Sequence, residues 1–328
     1  MICRICHNRK GNSGLTVREM EFGTGEAFDY FHCPVCHCLQ IAEIPGDMGR
    51  YYPENYFAFD RTGRLAKHPF RQFIDSRRVA AYLRGDSLVG RLASMVSKPL
   101  DYLEWVDHAG INASGRILDV GCGSGRLLLR MGLGGFSRLL GIDPFIKEDI
   151  RYPNGIDVLK KDIIDLSRES RDRFDLIMFH HAFEHMADPD GVLDATARLL
   201  APKGCLLIAI PVVDSYPWRR YGAHWRGIRA PRHFFLFSEK SMGILAARHR
   251  MTIDRVVRTG NRSSLTESAL YEKGIPSNVP EKEKKIFSRQ EILSFDRDVE
   301  KMNRNREGDT ACFYLSLNPQ TEPIPHPS

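Results

Sequence analysis

The stretch RILDVGCGSGRLLLRM, residues 116–131, decides the fold. A buried-looking run ends at Val120, a glycine turn covers Gly121, Cys122, Gly123, Ser124 and Gly125, and leucines then resume at helical spacing. Glycines at alternate positions let backbone pass close to a ligand, and the helix beyond offers unpaired N–H groups and a positive dipole end to an anion. A nicotinamide dinucleotide fingerprint needs glycine at the sixth position, where Arg126 stands, so that cofactor is disfavoured. RLLGIDP follows, and Asp143 at its strand end can accept from both hydroxyls of a ribose. Farther on, Asp162 in LKKDI follows a third strand, where it could accept from an exocyclic amine. Each aspartate alone is more commonly a helix cap or turn residue, but three features in this order reinforce one another.

Short apolar runs alternate with helical segments from residue 115 to 211: RILDV, RLLGID, IDVLKK, FDLIMF and CLLIAIP. That alternation predicts βαβ units and a parallel sheet. TIDRVVRT (252–259) and ACFYLSL (311–317) are two further strands, flanking a charged helical insert at 261–309. The expected organisation is a metal ribbon over 1–45, a helical connector over 46–113, an α/β domain over 114–318 and a disordered proline-rich tail over 319–328.

The chain has 328 residues, 42% of them hydrophobic, and lysine plus arginine exceed acidic residues by six. This mild excess does not by itself argue for nucleic acid. The first residues, MICRICHNRK, lack the apolar stretch of a secretory signal, and no run reaches membrane-spanning length, so a cytoplasmic location is expected. Five of the eight cysteines fall within the first 38 positions. Cys3-x-x-Cys6 and Cys33-x-x-Cys36 have the spacing of two metal knuckles, and four thiolates would close a tetrahedral structural zinc site. Cys38, His7, His32 and His37 are alternative ligands or ordinary packed side chains.

The glycine loop, Asp119 before it, Asp143, Asp162 and LLAPKGCLLIAIP together resemble the class I S-adenosylmethionine-dependent methyltransferases over about residues 115–317. That resemblance implies a Rossmann-like seven-stranded sheet with an antiparallel last strand. It also implies S-adenosylmethionine (SAM) as donor, lined by Asp119, Gly121, Cys122, Gly123, Gly125, Asp143, Pro144, Asp162, Ile163 and His180.

FHHAFEHM, 179–186, packs three histidines and a glutamate beside the sheet edge. His181, Glu184 and His185 spell a zinc-peptidase pattern, but Asp188-Pro189 has the form of a cap opening a new helix, which leaves too short a helix for that chemistry. His181 is the candidate general base, since a neutral imidazole can take a proton from an attacking hydroxyl. Similar methyltransferases often carry Glu-His at the place of Glu184 and His185, which serves packing around the cofactor loop, while relatives of the ubiquinone O-methyltransferase type use this region for a divalent ion. Catalysis by His181, Glu184 and His185, packing, and metal binding all stay open here.

YPWRRYGAHWRGIRAPRHFFLFS, 216–238, interleaves five arginines with Trp218, Tyr221 and Trp225. Guanidinium groups grip phosphate and aromatic faces cover sugars or bases, although such runs are often only exposed loops. Trp225, Arg229, Arg232 and His233 are the candidate acceptor-binding residues. With the N-terminal ribbon, YYPENYFAF (51–59) and APRHFFLFS, the chain resembles bacterial methyltransferases of surface-polysaccharide and deoxysugar pathways. This likeness implies methyl transfer to a sugar hydroxyl of a nucleotide-linked or lipid-linked glycan, hence a phosphate-bearing acceptor. Carbon methylation of a keto-sugar, methylation of an RNA base and a non-catalytic cofactor-binding scaffold are the alternatives. Nucleic acid is the less favoured partner, and the sequence is silent on oligomeric state.

Overall fold

The computed structural model describes residues 1–52, 77–79, 81–82, 101–278 and 286–318. Most of the expected connector, including Pro53–Phe59 of YYPENYFAF, and the tail at 319–328 lie outside the described residues.

Eight strands form the large sheet: β4 (Arg116–Val120), β5 (Arg138–Ile142), β6 (Ile150–Arg151), β7 (Asp157–Leu159), β8 (Phe174–His180), β9 (Leu200–Pro211), β11 (Met251–Thr259) and β12 (Thr310–Leu317). Their order is β11-β12-β9-β8-β4-β5-β7-β6. β7, β5, β4, β8 and β9 are mutually parallel, whereas β12 runs antiparallel between β9 and β11. The fold is thus the expected Rossmann-like α/β architecture with an antiparallel last strand. The expected count of seven strands is corrected to eight, because two-residue β6 turns back antiparallel along β7.

Side chains along the central strands alternate between two cores. Leu118, Ile177, Phe179, Ile208 and Phe313 lie in one cluster, and Ile117, Leu176, Met178, Leu207 and Tyr314 in the other. Burial on both faces is why these strands read as continuous apolar runs rather than alternating ones. Helix α1 (Asp101–His108) packs Tyr102, Leu103 and Val106 on the second face, together with Leu128 and Met131 of α2 (Arg126–Leu133). Among the described residues, no helix is long and apolar enough to cross a membrane.

Local chemistry sets the helix starts. Asp162 caps α3 (Ile163–Glu169), accepting from Asp165 N at 2.8 Å, and Asp188 caps α4 (Pro189–Leu199), accepting from Gly191 N at 3.0 Å. Pro189 at the first helical turn confirms the boundary expected there. Beyond β9 come α5 (Tyr216–Tyr221), α6 (Glu239–Arg248) and α7 (Arg262–Glu272), and α8 (Arg289–Arg304) starts from a Ser288–Glu291 capping box.

The N-terminal segment forms β1 (Ser13–Arg18), β2 (Ala27–His32) and β3 (Leu39–Ile41), to which the distant β10 (Phe235–Leu236) adds as the fourth strand. Its apolar residues Ile5, Tyr30, Phe31, Leu39 and Ile41 belong to the same core as Phe179 and Ile208. The ribbon expected over 1–45 is therefore welded to the large domain by a shared sheet and a shared core. Phe313 is fully buried at the centre of this core. Phe313→Ala should cost about 3–5 kcal/mol, read as a lower urea midpoint with unchanged transition slope.

Candidate active site

The donor side begins where β4 ends. Gly121, Gly123 and Gly125 have φ of +71°, +56° and +76°, a region that side-chain-bearing residues rarely adopt. A Cβ on Gly121 would lie 2.6 Å from Cβ of Ala182, and one on Gly125 would lie 2.7 Å from Val158. Asp143, at the end of β5, props the loop open: one carboxylate oxygen accepts from Gly123 N and the other from Phe145 N, each at 2.8 Å. Cys122 turns its thiol inward, where Gly141 leaves room for it, so only its backbone remains to line a ligand. Ile163 is buried beneath the rim, and Asp162 is exposed with its carboxylate used in capping α3. The cap occupies one of its two carboxylate oxygens, Oδ1.

Asp119 is nearly fully buried, and its Oδ1 has no hydrogen-bond partner among the described residues. Loss of solvent, and secondarily the nearby charge of Asp143, push its carboxyl up to about 8. A buried acceptor without a donor, beside a cradle of three left-handed glycines, fits a ligand that brings an ammonium group and hydroxyls. SAM carries both.

The histidine turn continues β8. His180 tilts against Trp105, ring centroids 4.7 Å apart, and burial holds its imidazole down to about 3, so it is neutral at physiological pH. His181 has φ +54° and is tied by its N–H to Ala209 O at 2.9 Å, which turns a half-exposed imidazole out at the sheet edge. Its Nδ1 lies 3.5 Å from Oε1 of Glu184, which sits fully buried on a short 3-10 turn, Phe183–His185. Neither oxygen of Glu184 has a hydrogen bond of good geometry among the described residues. Burial alone would raise Glu184, but its interactions with His181 and, secondarily, His185 outweigh it and hold the carboxyl below its usual range.

The basic aromatic segment at 216–238 folds back onto this turn. His185 Nδ1 lies 2.8 Å from Arg232 O and His233 Nδ1 lies 2.7 Å from Gly227 O; since a carbonyl can only accept, each Nδ1 carries the proton and each Nε2 is left with a lone pair. Burial lowers the pKa of both rings, so they remain neutral. Glu184, His185 and His233 each bring one ligand atom to a group within 4.8 Å, and His233 Nε2 lies 3.8 Å from Glu184 Oε1. Arg229 and Arg232 lie beside them, both paired with Glu21. Trp225 is corrected from an acceptor-lining residue to a core anchor: it is 1% exposed, and its indole N–H donates to Asp309 at 2.9 Å.

Sequence reading missed Glu21 and Tyr52. Tyr52 lies parallel to exposed Phe145 at 6.3 Å, with its hydroxyl 3.3 Å from His185 Nδ1. The tyrosine-rich start of YYPENYFAF was the available signal for Tyr52; nothing local marked Glu21.

In the ribbon, the Sγ atoms of Cys3, Cys6, Cys33 and Cys36 lie within 4.8 Å of one another, with Cys3–Cys36 and Cys6–Cys33 both at 3.5 Å. These separations are close to the edge of a tetrahedron with sulfur about 2.3 Å from a central zinc, so the donor set fits that ion. Cys38 is buried outside the cluster, with its thiol toward Leu39 O.

Residues 96–249 match a family model described as a methyltransferase domain. The match spans just under half of the chain. A ubiquinone biosynthesis O-methyltransferase from Pseudomonas syringae pv. tomato is 32% identical over 109 residues, 31% of this chain and 47% of that protein. One from Dechloromonas aromatica is 30% identical over 114 residues, 33% of this chain and 49% of that protein. The chain thus spans about half the length of the curated relatives it matches. A SAM-dependent methyltransferase structure from Archaeoglobus fulgidus aligns with a TM-score of 0.42 at 17% identity, covering 66% of this chain and 90% of that one.

Two tests follow from the donor cradle. Asp143→Ala removes both acceptors that shape the loop and should weaken SAM binding by at least about tenfold in calorimetry, with the fold intact by circular dichroism. For Asp119, the ordinary carboxyl titrates near 3.8 and the folded one about 8, so the fold holds an extra proton between those values and loses stability as pH rises through them. Without donor the melting temperature should fall between about pH 4 and 8, and Asp119→Asn should flatten that fall.

Proposed function

We propose that this protein transfers a methyl group from SAM to a sugar hydroxyl of a nucleotide-linked or lipid-linked glycan, acting in the cytoplasm. The observation that carries this reading is the meeting at one sheet edge of the glycine cradle with Asp119 and Asp143 on one side, and His181, Glu184, His185, Arg229, Arg232 and His233 on the other. The curated relatives, named as O-methyltransferases, favour oxygen over carbon as the receiving atom. Their ubiquinone-pathway acceptor belongs to them. Two arginines in the acceptor segment suit a phosphate-bearing molecule instead.

SAM supplies a methyl group already activated on a sulfonium, so holding the nucleophile in line contributes most of the acceleration. His181 takes the proton of the attacking hydroxyl through its half-exposed ring, and buried Glu184 behind it stabilises the imidazolium that results. Arg229 orients the acceptor, and buried Arg232 supports it through the shared partner Glu21. The ribbon cysteines hold zinc as a closed structural site.

A second reading is favoured by the cluster of Glu184, His185 and His233: a divalent ion between them would satisfy the orphaned carboxylate and both Nε2 lone pairs, and could polarise the acceptor hydroxyl.

Incubating the protein with SAM and UDP- or dTDP-linked sugars should yield a product one methyl heavier by mass spectrometry; no such product from nucleotide-linked or lipid-linked sugars defeats the acceptor assignment. His181→Ala should lower kcat by about 10²–10⁴-fold at unchanged SAM affinity. If the ion is held, Glu184→Gln abolishes activity restored by divalent metal to dialysed protein, whereas His181→Ala leaves metal affinity intact.

A further inference from the structure

Tyr52 comes from the N-terminal segment, yet it touches both rims of the cleft. Its ring lies at 12° to that of Phe145, centroids 6.3 Å apart, and at 60° to the His185 imidazole, 6.4 Å away. Phe145 follows the end of β5, where Asp143 accepts from its N–H, and His185 follows the end of β8. The order β8-β4-β5 puts the end of β4, and with it the glycine loop, between those two. Neighbouring strands lie about 4.8 Å apart, so β8 and β5 stand about 10 Å from each other, a gap that one aromatic side chain in contact with both rims bridges.

The ribbon holds Tyr52 in place. Its neighbour Tyr51 is 4% exposed, meets Phe28 edge-on at 5.6 Å and donates its hydroxyl to Glu26 at 2.9 Å. Tyr52 N donates to Gly49 O at 3.1 Å, closing the 3-10 turn Met48–Tyr51. The guanidinium of buried Arg232 lies 5.9 Å from the centroid of the Tyr52 ring and 4.7 Å from that of Phe22. Phe22 belongs to the β1–β2 turn, which is drawn around a buried carboxylate. Glu19, 1% exposed, accepts from Glu21 N and Phe22 N at 2.7 Å and from Thr24 N at 2.9 Å. Phe22, Arg232, Tyr52 and Phe145 thus touch in succession from the ribbon to the rim of the donor cradle.

We propose that Tyr52 is the roof of the donor pocket, an aromatic surface supplied by the N-terminal segment that covers SAM in the glycine cradle and slows its release. Phe145 is 75% exposed, so most of its ring is open to a ligand, and a second ring nearly parallel to it gives a flat group two aromatic surfaces to lie against. Contact on both faces needs about 3.5–4 Å on each side, or roughly 7–8 Å between the outer rings, so the pair has to part only slightly to admit a base. Asp143 fixes the Phe145 N–H and is also the carboxylate placed for the donor's ribose, which tethers the base within reach of the pair. This role of Tyr52 rests on the reading of the cradle as a SAM site and is indifferent to which acceptor is used.

The test compares the full chain with Tyr52→Ala and Tyr52→Phe, using stopped-flow binding of SAM and of unreactive S-adenosylhomocysteine. Tyr52→Ala should release either ligand about tenfold faster, with association unchanged or quicker and the fold intact by circular dichroism. Tyr52→Phe keeps the ring and should stay within about twofold of the parent in release rate. A merely structural role gives another pattern, with slower association to a distorted cradle and no change in release. On the parent chain itself, nitration of Tyr52 by tetranitromethane, read by peptide mass spectrometry, should be lost on saturation with S-adenosylhomocysteine. Release from Tyr52→Ala at the parent's rate, release from Tyr52→Phe as fast as from Tyr52→Ala, a loss carried by association, or nitration of Tyr52 unaffected by ligand would each overturn the proposal while leaving the donor site standing. A parent chain that binds neither ligand overturns the donor site and the roof together.

Discussion

The hydrogen bond from Phe234 N to Glu184 O, 2.8 Å long, joins two segments fifty residues apart in the chain. One is the turn that ends β8; the other is the strand that completes the ribbon sheet. Because both are buried and each peptide group needs a partner, this bond and its neighbour from His185 to Arg232 O fix the spacing of the site. Its chemistry depends on that spacing. Without it, His181 and Glu184 would still follow β8, but the segment that carries the arginines would lose its backbone tie to them.

The large sheet was legible because its signal is local and repeated. Five apolar runs, each followed by turn residues, carry the parallel strands, and burial on both faces keeps them apolar throughout. The glycine loop was equally legible, since three left-handed residues in five leave few alternatives to glycine. Asp143 could be read from its distance to that loop. Asp188 with Pro189 was readable as a helix start from cap chemistry alone.

What escaped reading was non-local or ambiguous in letters. β10 has two residues and β6 two, too few for a period to show. The pairing of β3 with β10 spans some 195 positions and leaves no mark in either segment. Trp225 sits in a basic aromatic run that looks like a surface, yet its partner Asp309 comes from the far side of the insert and draws it inward. Asp162 stands where either a ligand or a helix can use it, and its Oδ1 accepts the capping bond. Glu21 had no local signature at all: its role depends on where a neighbouring carboxylate bends the chain.

That neighbouring carboxylate has a further consequence. The curve of the β1–β2 turn is written by Glu19 through peptide N–H groups, which every residue except proline possesses. Side chains at 20–22 are thereby released from any duty of shaping their own backbone, whereas Gly23, at φ +78°, is not. Substitution there changes what the turn presents to Arg229 and Arg232 without redrawing the turn itself.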